Sequence, residues 1–287
     1  MDVRIATGHV PLFWAKSYEQ KYTLWDFAYD PLYLEFAKMM KAWGDAKYWR
    51  EDCLNYKGDT RQELWAGQTG ADQHHSNTYR GLRFQMDEKQ PGSELQMFAF
   101  SDTRNNLVGE PITHGSTGIG AHSRNPERAV MIYEILRQDE KVYHLLNYGR
   151  EGVQYVIKNG VRVRPEGWDE ARDQFYSNYW GGRVDKFELR TDTEWLPIWD
   201  IWKQYDRIKN PFPYGRFVFD KTPIESELAA LSEVTNQLGP AISFGKAGDP
   251  VKAVDELRAK LKLAGYDKAK AEIQRQLTAY QRMVEGK

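Results

Sequence analysis

Gln73-His74-His75-Ser76-Asn77 packs hydrogen-bonding side chains into consecutive positions. Amide, imidazole and hydroxyl groups both donate and accept, which suits a ligand covered in hydroxyls. The spacing does not suit a metal. Neighbouring residues of an extended segment face opposite ways, and no Asp, Glu or His nearby completes a zinc-like set. Gln73, His74, His75 and Asn77 are therefore ligand-contact candidates, with a plain surface loop as the alternative. A second candidate is Thr113-His-Gly-Ser-Thr-Gly-Ile-Gly120. Its glycine order is not the Gly-x-Gly-x-x-Gly of a dinucleotide cradle, and a nucleophile elbow around Ser116 would need Gly in place of His114. The glycines do permit close approach of a ligand or a neighbouring backbone. His114 and Ser116 could then meet hydroxyls; the alternative is a tightly packed strand that touches no ligand.

Aromatic residues form the third group. Phe175-Tyr-Ser-Asn-Tyr-Trp-Gly-Gly182 sets rings beside an amide and a Gly pair. Tyr179 and Trp180 could stack on the C–H face of a sugar, with Asn178 bonding its hydroxyls; a hydrophobic plug under a loop is the alternative. Trp195, Trp199 and Trp202 share one helical face and read as core, as do Trp43 and Trp65. Asp72 lies near His74, but no nucleophile–base–oxyanion set is readable. Catalysis is not expected, and no catalytic residue, metal or cofactor is assigned.

The chain has 287 residues, with Lys+Arg 40 against Asp+Glu 41 and a net charge of −1. That balance gives no global field for nucleic acid or an anionic membrane. The lone Cys53 excludes an intrachain disulfide and a cysteine-cluster metal site. No apolar run reaches the roughly 18 residues that span a bilayer, and residues 1–7 lack a signal-peptide core.

Helices are predicted where caps precede apolar periodicity: from Pro31 to Trp43, after Thr60 with Glu63, after Asn125-Pro126, and from Asp139 to Tyr148. Further helices are expected around 193–208, from Thr222-Pro-Ile-Glu225 to a stop at Gly239, after Asp249-Pro250, and from about Asp267 to Met283. Strands are expected before residue 75, within 84–110 and along 111–122, and as a hairpin about Asn159-Gly160. Strands interleaved with capped helices argue for an α/β architecture that is helix-rich towards the C-terminus.

The order of these pieces resembles the extracellular solute-binding proteins of ABC importers, family 1. The resemblance rests on the apolar run Met97–Phe100, the Gly-rich stretch 111–122, the Asn125-Pro126-Glu127 helix start and the hairpin within 152–164. Asp30-Pro31 with its helix, Thr60–Gly67 followed by Thr69–His75, and Gly239-Pro240, Asp249-Pro250 and Lys260–Asp267 continue it in the family's order. The tail is similar to that of a Gram-positive lipoprotein subgroup.

This resemblance implies a two-lobe, type II periplasmic-binding-protein-like fold, of which the chain would be the C-terminal portion with an incomplete N-terminal lobe. Residues 1–96 and 170–287 would build the C-terminal lobe, 97–165 would belong to the N-terminal lobe, and 166–169 would form the hinge. It also implies a carbohydrate, an oligosaccharide in particular, held in an interlobe cleft and delivered to the permease subunits of an ABC transporter. The full-length protein would be an extracytoplasmic lipoprotein with a signal peptide and anchor cysteine ahead of residue 1. A glycan-active hydrolase with paired carboxylates, or a non-transport interaction module, are the alternative readings.

Overall fold

Acidic side chains set several helix starts. The Asp30 carboxylate accepts from the Leu32 amide at 2.8 Å, just ahead of Pro31, and opens α1 (Pro31–Asp45). Asp59 does the same for α2 (Thr60–Trp65) through the Arg61 amide. Residue 75 caps α3 (Ser76–Lys89). Asn125 precedes Pro126 at the start of α4 (Pro126–Gln138), and Asp139 caps α5 (Glu140–Tyr148) through the amides of Lys141 and Val142. Later elements are α6 (Glu170–Asp173), α7 (Ile198–Ile208), α8 (Glu225–Ser243), α9 (Pro250–Leu263) and α10 (Tyr266–Glu285). Strands are short: β1 (Val3–Arg4), β2 (Phe13–Ala15), β3 (Leu24–Asp26), β4 (Val156–Lys158) and β5 (Val161–Val163). This computed structural model describes residues 3–4, 13–99, 107–109, 115–177, 182–192 and 194–286.

The chain divides into two compact units. The first comprises residues 1–58, 104–109 and 209–287. Its antiparallel sheet runs β1-β2-β3, with Val3 opposite Ala15 and Trp14 opposite Trp25. Phe13, Ala15 and Leu24 join a core completed by α1, α8, α9 and α10. α10 supplies Ala269, Ile273, Leu277 and Tyr280, one stripe of an amphipathic helix, and all are buried. At the head of that helix the Tyr266 ring stacks on Phe13 at 5.4 Å between centroids. Gly245, just past α8, has φ 64, and a Cβ there would lie 2.1 Å from the Met40 carbonyl oxygen. Only glycine lets α1 and the end of α8 come this close.

The second unit comprises residues 59–103 and 110–208. Leu64, Leu82 and Met86 form one small core between α2 and α3. Tyr143, Tyr148 and Tyr155 form another, backed by Val184, Phe187 and Leu189. The hairpin β4–β5 turns on Asn159 and Gly160, both at positive φ (54 and 77), the turn that matches strand twist. On α4 no residue is buried, and Val130, Met131, Ile132 and Ile135 are each more than half exposed.

Several expectations change. Residues 84–89 end helix α3 rather than forming a strand, because Tyr79, Leu82 and Met86 bury one helical face. Residues 69–75 and 115–122 carry no strand either. α8 runs through Gly239 and Pro240 to Ser243, and Asp59 rather than Thr60 caps α2. Trp43 is 39% exposed rather than core, packed against Tyr48 and Trp49. The two compact units are groupings by contact, and the lobes expected from residues 1–96 with 170–287 and from 97–165 remain an expectation. Segments 59–96 and 170–208 fall in the same unit as 110–165, and α3 meets the α7 region through a hydrogen bond and a ring contact.

Candidate functional site

Gln73, His74 and His75 lead into α3, whose first turn carries Asn77. The His75 ring nitrogen Nδ1 accepts from the Thr78 amide at 3.2 Å and so caps the helix. His74 and His75 meet edge to face at 4.2 Å, and the Thr78 hydroxyl lies 2.8 Å from His74 Nδ1. Burial, then the neighbouring His74 and Arg61, push the His75 pKa down. Gln73 is exposed, and the buried Asn77 Oδ1 has no hydrogen-bond partner. Beneath them, Trp202 of α7 donates its indole N–H to Ser76 Oγ at 2.8 Å, with Arg183 5.2 Å and Arg80 5.9 Å from its ring. Arg80 pairs with Glu194 at 3.4 Å, and Glu194 also accepts from the Trp199 indole at 2.9 Å. Trp199 and Trp202 are thus half-buried anchors for polar groups, and the half-buried Trp195 meets the Tyr79 ring edge to face.

Ser116 lies on the exposed stretch 115–120, apart from any strand. His114, Asn178, Tyr179 and Trp180 lie outside the described residues.

A pocket in the same unit went unrecognised from sequence. It has a volume of about 170 Å³ and is built from the hairpin, the linker that follows it, and two short segments beyond α6 and before α7. Tyr148, Tyr155, Trp168 and Phe175 supply its aromatic surface. Arg162, Arg164, Asp173 and Asp192 supply charge, with amides from Gln154 and Gln174. The Arg162 guanidinium sits 4.4 Å from the Tyr148 ring centroid, and Arg164 sits 4.2 Å from that of Trp168. Burial, with Arg80 nearby, works against the Arg162 charge and lowers its pKa. Burial likewise pushes the Tyr148 hydroxyl up to about 12. Asp173 is held down at about 2 by the Arg172 guanidinium, which meets it through Nε at 2.9 Å and Nη2 at 2.6 Å, and by the Asp169 amide. Such a mix of rings and planar polar groups can stack on a small polar ring and bond its edges. Among the described residues, no cluster of His, Cys, Asp or Glu could hold a metal ion. Nor is any helix among them long and apolar enough to cross a membrane.

The crystal structure of an N-glycan transport solute-binding protein (NgtS) from Streptococcus pneumoniae superposes with a TM-score of 0.70 over 96% of this chain and 59% of that one, at 18% identity. The chain has the solute-binding-protein fold. It is the helix-rich, type II periplasmic-binding-protein-like form expected from sequence. The same protein solved with Man5GlcNAc matches with a TM-score of 0.62, at 18% identity over 97% of this chain and 60% of that one. In sequence, the chain is 28% identical over 160 residues to a carbohydrate ABC transporter substrate-binding protein of Streptococcus pneumoniae serotype 4, which is 55% of this chain and 32% of the relative. Residues 213–282 match a domain of unknown function (DUF3502). Within this fold that domain takes in α8, α9 and most of α10, the helical part of the first unit. The chain therefore spans about a third of the curated relative and under two thirds of the solved chains.

Proposed function

We propose that this chain is part of the substrate-binding component of an ABC importer and takes up an oligosaccharide without making or breaking bonds. The observation that carries this reading is a shared fold over 96% of the chain with a protein whose structures include glycan complexes. In this reading the full protein works outside the cytoplasm, closes around its ligand and docks on permease subunits. Gln73, His74, His75, Asn77, His114, Ser116 and Asn178 form a polar fringe for hydroxyls, and Tyr179 and Trp180 provide stacking faces. Affinity arises from desolvated stacking. Selectivity arises because the wrong sugar leaves buried polar groups unpaired.

The test is titration of intrinsic tryptophan fluorescence with a panel of oligosaccharides, checked by calorimetry. Saturable binding without release of reducing ends supports the reading. Silence across the panel overturns it, and turnover of a glycan would assign a hydrolase instead.

A further inference from the structure

The residues lining the pocket beside the hairpin all belong to the second unit, and their charges balance. Arg162 and Arg164 stand against Asp173 and Asp192, and Glu188 adds a favourable charge beside Arg162. Such a lining selects neither an anion nor a cation; it sets donors and acceptors around one space. Both guanidiniums lie against rings, Arg162 over Tyr148 and Arg164 over Trp168. A guanidinium held by its face presents its N–H groups along its edge. The exposed Asp192 accepts from the Thr191 hydroxyl at 3.3 Å and keeps lone pairs for further donors. Phe175 lines the same pocket with a ring 41% exposed, although one face of Trp168 is already covered by Arg164.

We propose that this pocket is a subsite for one neutral sugar ring, stacked on Phe175, with its hydroxyls donating to Asp192 and accepting from Arg164. The proposal rests on the carbohydrate-binding reading above and adds a second set of contact residues and a charge class to it. Hydroxyls donate as well as accept, so neighbouring ones can serve a carboxylate and a guanidinium together, and both bonds are charge-assisted. A uronate in the same place would meet the carboxylates of Asp173 and Asp192, and an amino sugar would meet the two arginines. Each charged ring therefore faces like charge, which a neutral ring avoids. The cavity of about 170 Å³ has room for one ring, and the rest of an oligosaccharide lies outside it.

Calorimetric titration of the full chain with a panel of neutral oligosaccharides identifies the tightest binder, and Phe175→Ala and Asp192→Ala are then measured against it. Each substitution is expected to weaken binding at least about tenfold. Phe175→Tyr keeps a stacking face and is expected to retain most of the affinity. Tyr48→Ala removes a ring that is 70% exposed in the first unit and is expected to change nothing. Circular dichroism confirms that each variant is folded, as expected where the replaced side chain is exposed. Matched disaccharides ending in glucose, glucuronate or glucosamine, and in galactose, galacturonate or galactosamine, test the charge class. Parent-like affinity in either pocket variant, or a charged ring bound more tightly than its neutral counterpart, overturns the subsite while leaving the carbohydrate reading intact. Failure of every glycan overturns both.

Discussion

Trp202 donates its indole N–H to the hydroxyl of Ser76 at 2.8 Å, so that α7 is tied to the first turn of α3 across 126 residues of chain. The bond fixes the helix end that carries His75 and Asn77. It also explains why the α7 tryptophans stay half-buried: their indole N–H groups need polar partners.

Trp202→Phe keeps most of the ring contact and removes the donor. It should lower stability by about 1 kcal/mol, and amide exchange at Ser76–Tyr79 should quicken relative to the rest of α3. Unchanged exchange in that turn would show that the bond does not anchor it.

The His75 cap should make this turn sensitive to acid. Its pKa in the folded chain is lowered, so the unfolded chain takes up the proton first as pH falls below about 6.5. Stability supported by neutral His75 is therefore complete above that value and is lost on the acid side. A protonated Nδ1 also cannot accept from the Thr78 amide. His75→Asn offers a cap that does not titrate. Melting temperatures at pH 7.5 and pH 5.5 should differ less in this variant than in the parent; an equal difference would assign the acid sensitivity to other groups.

Gly245→Ala should destabilise the first unit by at least about 2 kcal/mol, since the new methyl meets the Met40 carbonyl and the backbone is left-handed. Gly248→Ala is the matched control. Its φ is 74, but nothing lies within 4 Å of its Cβ, so only backbone strain of about 1 kcal/mol remains. Urea unfolding of the two variants measures the difference, and equal losses would remove the steric argument.

Leu277 is fully buried in the α10 stripe, within the matched domain 213–282. Leu277→Ala should cost about 3 kcal/mol, from lost burial and the cavity left behind. Leu263→Ala, at a position 88% exposed, should cost almost nothing in the same urea titration.

Asp173 lines the pocket with its carboxyl at about 2, held there by Arg172. Replacing that exposed arginine in Arg172→Gln should return the carboxyl towards its ordinary value of 3.8, as read by carbon NMR titration. With the pair intact, the stability it contributes is present above 3.8 and is lost as pH falls through about 2.

Much of the architecture was readable before any coordinates. Asp30-Pro31, Asn125-Pro126 and Asp249-Pro250 marked true helix starts, and Asn159-Gly160 marked a true hairpin. These signals act over two or three residues, within reach of a single side chain. The strand expected after residue 84 failed because Phe84-Gln85-Met86 alternates like a strand, whereas Tyr79, Leu82 and Met86 bury at helical spacing. Trp43 was expected in the core because hydrophobicity and a helical face suggest burial, but they do not say how much of that face a neighbour covers.

By itself, the sequence determined the Asp30, Asp139 and Asp249 helix starts, the turn and the apolar stripes of α8, α9 and α10, because each depends on bonds and spacings local to the chain. Tertiary structure alone decided which charges found partners. The acid beside Tyr143 comes from Glu188, 45 residues away, and Arg80 on α3 pairs with Glu194. Coulomb energy and desolvation depend on distance in space rather than along the chain, so these pairings emerged only once the chain had folded.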